Sequence, residues 1–459
     1  MFKVKNINML EGPLLKNIIL YTIPIIFTGI LQLLFNAADI IVVGRYGGMR
    51  SVAAVGSTSS IINLLVNLFM GLSTGTGILT AQGLGANNNK SVKQAIHTAI
   101  PTALISGIII SVVGILFAET FLRLMQSPES VLPLAALYMK IYFIGIPATM
   151  VYNFGSAILR AAGDTKSPLV YLCFSGAVNV FLNLIFVILF DMDVAGVAIA
   201  TVISQVLSAV LVIKTLMKRT DACRLILKEF KIHAATLRKI MTIGVPAGIQ
   251  SSVFSISNVI IQSSINSLGE VVVSGSAAAA NIEGFVYMAM NAFHHTALNF
   301  TGQNFGAGNH KRAKRVFYLC LICVAVTGIV LGNLVYFLGR QLLSIYLPDS
   351  PAAIEQGLIR MSFVCSFYFL CGIMDVTIGA IRGIGVTLSP MFISVTGVCV
   401  FRLGWIFTIF SIPKFHTASN LYISYPITWG LTFISLLVTY FIIVNKITKN
   451  HNERQNKNV

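Results

Sequence analysis

Charge is what this chain has little of. Of its 459 residues only 10% are Asp, Glu, Lys or Arg, while 56% are hydrophobic. Soluble domains run at roughly 25% charged residues, so a water-soluble globule is excluded. A mean hydropathy of +0.83 points instead to a chain built into a bilayer. Acids are scarcer still, 15 against 32 basic residues. No GxxxxGK[ST] loop, His/Cys metal cluster or nucleophile elbow occurs, so neither ATP hydrolysis nor another enzymatic activity is expected. The seven cysteines (Cys173, Cys223, Cys320, Cys323, Cys365, Cys371, Cys399) sit almost all within apolar runs and imply no disulfide framework. Cys320 and Cys323 make a CxxC inside LCLICVAV, where packing is the simpler reading. The N-terminal MFKVKNINMLEGPLLKN is polar, and the next apolar run is too long for a signal-peptide core. That run is expected to stay as the first span.

What is there is a series of helix-length apolar runs, not the ~10-residue alternating segments of an outer-membrane barrel. About twelve spans are expected, centred near Gln32, Val66, Ile108, Tyr142, Val178, Ser204, Asn258, Met288, Thr327, Phe367, Val398 and Leu436. Twenty-four of the 32 basic residues fall in one set of loops, which includes Lys3, Lys5, Lys16, Lys90, Lys93, Arg160, Lys166, the 214–239 connector, 311–315 and the C-terminal tail. The opposite loops hold five (Arg45, Arg50, Arg123, Arg340, Lys414), and Lys140, Arg360 and Arg402 fall within spans. By the positive-inside rule both termini are expected in the cytoplasm. The formal charge of +17 is then a topology signal, with some attraction to anionic lipid, and not a nucleic-acid surface.

The chain repeats itself. Arg160-Ala-Ala-Gly163-Asp-Thr165-Lys-Ser167-Pro168 aligns with Arg382-Gly-Ile-Gly385-Val-Thr387-Leu-Ser389-Pro390 at an offset of 222 (382 − 160). The same offset pairs Pro24 with Pro246 and Asn36 with Asn258, and an offset of 221 pairs Gln82, Gly85 and Ala86 with Gln303, Gly306 and Ala307. The expected fold is therefore all-α and integral to the membrane. Two six-helix bundles, 1–217 and 239–446, would be joined by a cytoplasmic connector, 218–238, and followed by a cytoplasmic tail, 447–459. Six spans per half relate the bundles by a pseudo-two-fold axis along the membrane normal, with a central cavity between them.

A lone acid inside a span is costly and marks function by default. Asp39 is such an acid, in YTIPIIFTGILQLLFNAADIIVVG. Spacings of three and four put Gln32, Asn36 and Asp39 on one helical stripe, and Pro24 earlier in the run permits a bend. Depth along each span, at about 1.5 Å per residue, puts Asn179, Asn183 and Thr201 at the level of Asp39. Such a set could bind Na⁺ through oxygen ligands or hold a carboxylate that takes up H⁺. Each Asn alone would serve equally as interhelical glue. In the second half Asn258, Gln262 and Asn266 repeat every four residues, as do Asn291, His295, Asn299 and Gln303. These stripes suit a water-filled cavity. Glu283 reads as a second cation or substrate site or as a structural partner, and Asp375, seven residues before Arg382, as a structural ion pair or a helix-end group. Arg402, within the eleventh span, could pair with a carboxylate or recognise an anionic substrate. His294 and His295 could titrate near neutral pH or simply pack.

The Pro24…Asn36-x-x-Asp39…Gly44 helix, the Gln-x-x-Gly-Ala turn of each half and the paired Arg-x-x-Gly-x-Thr-x-Ser-Pro loops resemble the multidrug and toxic compound extrusion (MATE) transporters. The resemblance spans nearly the whole chain. It implies secondary efflux of organic cations and other amphipathic compounds in exchange for H⁺ or Na⁺. It also implies ion coupling at Asp39, Asn36, Asn179, Asn183 and Thr201 and a helix bend at Pro24. The chain is similar to the DinF-like side of the family, since 248–258 lacks the seventh-helix Glu of NorM-type members. It departs from the family at Asn183, where the pattern has Asp, and this favours H⁺ over Na⁺. The cavity and substrate candidates are Gln32, Asn258, Gln262, Glu283, Asn291, His295, Asp375 and Arg402. No cofactor is expected beyond the coupling ion, and no metal beyond Na⁺ at Asp39, Asn179, Asn183 and Thr201. A monomer in the cytoplasmic membrane is expected to suffice. The alternatives are a lipid-linked-precursor flippase of related architecture and a non-transporting membrane scaffold.

Overall fold

The computed structural model describes residues 6–125 and 127–457, and every regular element in it is helical. Lys3 and Lys5 of the basic N-terminal stretch and the last two residues of the tail lie outside the described residues. Long apolar helices form because a backbone in lipid must satisfy its own hydrogen bonds. The first half contributes α1 (Leu14–Tyr46), α2 (Gly48–Gly85), α3 (Asn89–Leu124), α4 (Leu132–Ala161), α5 (Lys166–Leu184) and α6 (Asp193–Lys218). The second contributes α7 (Ala234–Asn266), α8 (Glu270–Gly306), α9 (His310–Phe337), the short α10 (Gly339–Tyr346), α11 (Pro351–Val364), α12 (Tyr368–Gly383), α13 (Leu388–Ser394), α14 (Phe401–Trp405) and α15 (Ala418–Lys457).

Eleven described helices are long and apolar enough to cross a membrane, and α11 and α12, meeting at 44°, make a twelfth, broken span. The break falls at Cys365–Phe367, where the tenth span was expected to centre. The stretch from 447 onward, expected as a tail, continues α15 as helix to Lys457.

The repeat is visible in backbone detail. Asn88 and Asn309 cap α3 and α9 by accepting the Ser91 and Arg312 N–H at 3.0 and 3.2 Å. Asn87 and Gly308, just before, both have positive φ (51° and 70°), as do Gly163 and Gly385 (86° and 101°) in the Arg-x-x-Gly loops. In the first of those loops Asp164 accepts from the Ser167 N–H and Oγ at 3.0 and 2.6 Å. Fifth and eleventh spans end in matching π-turns, Ile185–Leu189 and Ile406–Phe410.

Two compact units result. The first comprises Met1–Asn8 and Ile23–Ser255, the second Met9–Thr22 and Ile256–Val459. The chain therefore passes between units inside α1 and inside α7, and not within the 218–238 connector. In the first unit α4 packs against α2, α3 and α6. The start of α7 is drawn close to α2 by a glycine pair on each helix, Gly71 and Gly75 against Gly244 and Gly248. A Cβ on Gly75 would lie 2.6 Å from the Ile240 carbonyl oxygen. In the second unit α8 packs against α9, α11 and α12, and α15 against α11 and α12. There the start of α1 is held by Tyr21 edge-on to Phe300 at 5.3 Å and by a Thr22–Thr296 hydroxyl pair at 2.8 Å. The Met9 carbonyl accepts from Asn304 Nδ2 and Arg312 Nε.

The connector is docked. Ile226 N–H donates to His97 Nε2 at 3.1 Å, and His233 N–H to Thr98 Oγ1 at 3.2 Å. Cys223 is fully buried, and burial pushes its thiol up to about 12. Burial also works against the Asp221 charge, but hydrogen bonds from Arg219 and from the Cys223 N–H outweigh it and hold the carboxyl below its ordinary range.

Candidate functional site

Asp39 lies in the second half of α1, and its side chain is turned into the first unit, 8% exposed. Its Oδ1 accepts from Asn183 Nδ2 at 2.5 Å. Asn183 and Asn179 stand one turn apart on α5, so both reach the same face. Asn183 Nδ2 lies 3.3 Å from Asn179 Oδ1, and Asn179 Nδ2 lies 3.3 Å from Thr201 Oγ1 on α6. Thr201 in turn donates to the Val197 carbonyl at 2.9 Å. Three helices thus bring together one carboxylate, two amides and a hydroxyl. The line continues along α5 to Ser175, whose Oγ accepts from Ser208 Oγ at 2.6 Å.

Among the described residues no Lys or Arg nitrogen comes within the 4.0 Å ion-pair limit of Asp39. Asn183 Oδ1 is buried and has no hydrogen-bond partner. An acid without a counter-ion beside an unused carbonyl oxygen can do one of two things. Protonated, it becomes a donor that needs such an acceptor. Ionised, it supplies with Asn183, Asn179 and Thr201 an oxygen set suited to a hard monovalent cation. No group of three or more His, Cys, Asp or Glu with metal-ligand geometry exists among the described residues. Tyr138 and Tyr142 of α4, stacked at 6.0 Å, lie close enough to feel the Asp39 charge. Sequence reasoning passed over them, because tyrosines in a membrane helix carry no signal of their own.

The other candidates are distributed as follows. Asn36 and Gln32 are exposed on α1, and no hydrogen bond joins either to Asp39. Pro24 lies within α1, which runs on through it, and the Pro24 carbonyl accepts from Thr28 Oγ1 at 2.8 Å. Asn258 and Gln262 are exposed on α7, with Gln262 bonded to Asn266 at 3.0 Å. Asn291 reaches the Tyr287 hydroxyl at 3.4 Å. His294 Nδ1 donates to the Asp375 carbonyl at 2.7 Å, and His295 stands edge-on to His294 at 5.4 Å.

Glu283 meets a partner that was not anticipated. Arg360 grips it through Nε–Oε1 at 2.9 Å and Nη2–Oε2 at 2.7 Å, and Arg360 Nη1 donates to Ser276 Oγ at 2.9 Å. Both side chains are nearly buried, at 5% and 11% exposure. The two residues are 77 positions apart, a pairing that no local pattern could reveal. Arg402 is buried on the ring face of Tyr425.

Comparison with known proteins fits this arrangement. The family sequence model described as MatE matches residues 24–185 and 246–408, two stretches whose starts are separated by the repeat offset of 222 (246 − 24). The "Probable multidrug resistance protein YpnP" of Bacillus subtilis (strain 168) is 29% identical over 401 residues, covering 87% of this chain and 89% of its own length. The "Probable multidrug resistance protein YoeA" of the same organism is 26% identical over 432 residues, covering 93% and 92%. A solved structure titled "Crystal structure of MATE in the bent conformation" superposes with a TM-score of 0.89 over 97% of this chain and 99% of that one, at 21% identity. With the family's segment present in both halves of a multi-span helical membrane protein, the chain belongs to the MatE family of transporters.

Proposed function

We propose that the protein is a secondary antiporter that exports amphipathic organic compounds, organic cations among them, across the cytoplasmic membrane in exchange for H⁺ or Na⁺. It works as a monomer with both termini in the cytoplasm. The observation that carries the reading is Asp39: buried, without a counter-ion, and bonded to Asn183 beside an unused carbonyl oxygen. A carboxylate so placed is expensive to keep unless its charge state does something.

Taking up H⁺ gives Asp39 an O–H donor beside its remaining acceptor capacity, which weakens the Asn183 Nδ2 contact and offers the proton to an amide oxygen. Na⁺ would instead draw the oxygens of Asp39, Asn183, Asn179 and Thr201 together. Either event removes the negative charge that attracts a cationic substrate. The loss favours a different packing of α1 against α5, with Pro24 as the place where α1 bends. Coupling requires that ion and substrate prefer different conformations, since an ion bound equally by both would shift nothing. With one carboxylate in the set, H⁺ is the favoured ion. The family match favours neither the lipid-linked-precursor flippase nor the static scaffold.

The test is efflux of an organic cation from proteoliposomes under an imposed pH gradient, compared with an imposed Na⁺ gradient, for the wild type and Asp39→Asn. Gradient-driven efflux is expected in the wild type and is lost in the variant, whose neutral residue 39 should also bind the organic cation more weakly. Full gradient-driven transport by Asp39→Asn would overturn the reading.

A further inference from the structure

The second unit holds a cationic cluster that nothing above uses. Arg402 is buried and Arg360 nearly so, yet their surroundings differ. Arg360 makes two bonds to Glu283 and one to Ser276 and lies over the Tyr422 ring at 5.5 Å. Arg402, 4% exposed, has no carboxylate within 4.0 Å among the described residues. Its hydrogen bond is from Nη2 to Thr428 Oγ1 at 2.8 Å, and its buried Nε has no acceptor. Thr428 directs its own hydrogen at the Ser424 and Tyr425 carbonyls, at 2.7 and 3.0 Å, so a lone pair faces the guanidinium. The carboxylate of Glu283 is thus taken by Arg360, and Arg402 is left without one.

Aromatic rings surround the surplus charge. The Arg402 Cζ is 3.9 Å from the Tyr425 ring centroid and 6.0 Å from that of Trp429. Trp429 is edge-on to Tyr425 at 5.6 Å and stacked on Tyr368 at 5.4 Å, and Tyr368 adjoins Tyr287 at 6.5 Å. Cation–π contact offsets part of the cost of a buried guanidinium. It leaves Nε unsatisfied, and it satisfies none of the fork geometry that makes Arg the residue of choice for a planar anion. A structural arginine would have the environment of Arg360.

We infer that Arg402, with Tyr425, Trp429 and Thr428, forms a binding site for the carboxylate of a planar aromatic substrate, the anion taken by the guanidinium and the ring system by the adjacent aromatics. This deepens the transporter reading by naming a substrate class, and it places anion recognition in the unit that lacks Asp39.

The experiment uses the full-length protein in detergent and isothermal titration with 2-naphthoate, its neutral isostere 2-naphthamide, and acetate. Naphthoate is expected to bind about ten- to a hundredfold more tightly than naphthamide, the range of a charge-assisted pair, and acetate alone more weakly still. Arg402→Gln should remove the naphthoate preference, and Arg402→Lys should retain part of it, keeping the charge without the fork. Equal affinity for acid and amide in the wild type overturns the proposal without reference to any variant. So does naphthoate binding unchanged by Arg402→Gln, or acetate binding as tightly as naphthoate. Titration needs no gradient, so a failure here leaves the Asp39 efflux result standing, and a failure of that result leaves this one readable.

Discussion

Breaking the Glu283–Arg360 pair should cost more than deleting it. In Arg360→Met the carboxylate loses two charge-assisted bonds and stays at a site only 5% exposed, with no other basic nitrogen within 4.0 Å among the described residues. An uncompensated buried charge of this kind costs about 3–5 kcal/mol. Glu283→Met strands the Arg360 guanidinium with Ser276 and Tyr422 beside a second guanidinium, Arg402, and should cost as much or more. Replacing both with Met removes the charges together and trades a desolvated pair for apolar packing, which is often close to neutral. The double variant should therefore lie within about 1 kcal/mol of wild type, and the coupling energy of the cycle should be at least about 5 kcal/mol. Equilibrium unfolding in mixed micelles with increasing dodecyl sulfate measures all four proteins. Additive single effects would refute the reasoning. Gradient-driven efflux by the double variant separates structure from transport: a folded protein that no longer couples would show that Glu283 handles an ion and does not merely hold Arg360.

Other perturbations have equally definite outcomes. Asn183→Asp adds a second carboxylate 2.5 Å from the first, and should shift efflux toward dependence on a Na⁺ gradient; unchanged ion preference would mean that the pair does not select the ion. Gly75→Leu places a side chain against the Ile240 carbonyl, so the apparent melting temperature should fall by the equivalent of about 1–3 kcal/mol or more, measured by fluorescence-detected thermal aggregation. Because the Asp221 carboxyl is held below its unfolded value, the stability it lends is present above about pH 4 and is lost as the pH falls through the lowered folded value. Cleavage of the connector by an acid-active protease should rise steeply there. At neutral pH the buried Cys223 is a thiol and should react with maleimide far more slowly in the folded protein than after unfolding in dodecyl sulfate; equal rates would mean that the connector is undocked.

Much of this was legible because membrane helices advertise themselves. Each expected span centre falls within a described helix or, for Phe367, at the break between α11 and α12. The duplicated loops reappear as paired caps and paired positive-φ residues. Asp39 stood out because an acid in lipid is rare, and the depth argument gathered Asn179, Asn183 and Thr201 around it by helical rise alone. What stayed hidden depends on which helix lies next to which. Arg360 was read only as a basic residue within a span, and its bond to Glu283 follows from α8 meeting α11. Asn36 shared a stripe with Asp39 on paper, but three residues subtend 300° and not a full turn, enough to leave Asn36 exposed while Asp39 is buried. The π-turns leave no mark in composition at all.

The passage of α1 and α7 between units bears on how the two halves can be recombined. A gene cut at 218–238 would yield one polypeptide carrying residues 9–22, which belong to the second unit, and another carrying 239–255, which belong to the first. Neither fragment contains a complete unit, so each would expose the seats left for the other's helix start: the Gly71 and Gly75 face in one, and the surroundings of Phe300 and Thr296 in the other. Co-expressed fragments should thus behave as obligate complements and not as two separable modules. A chimera that takes its second half from a relative would have to bring that relative's first two dozen residues along with it.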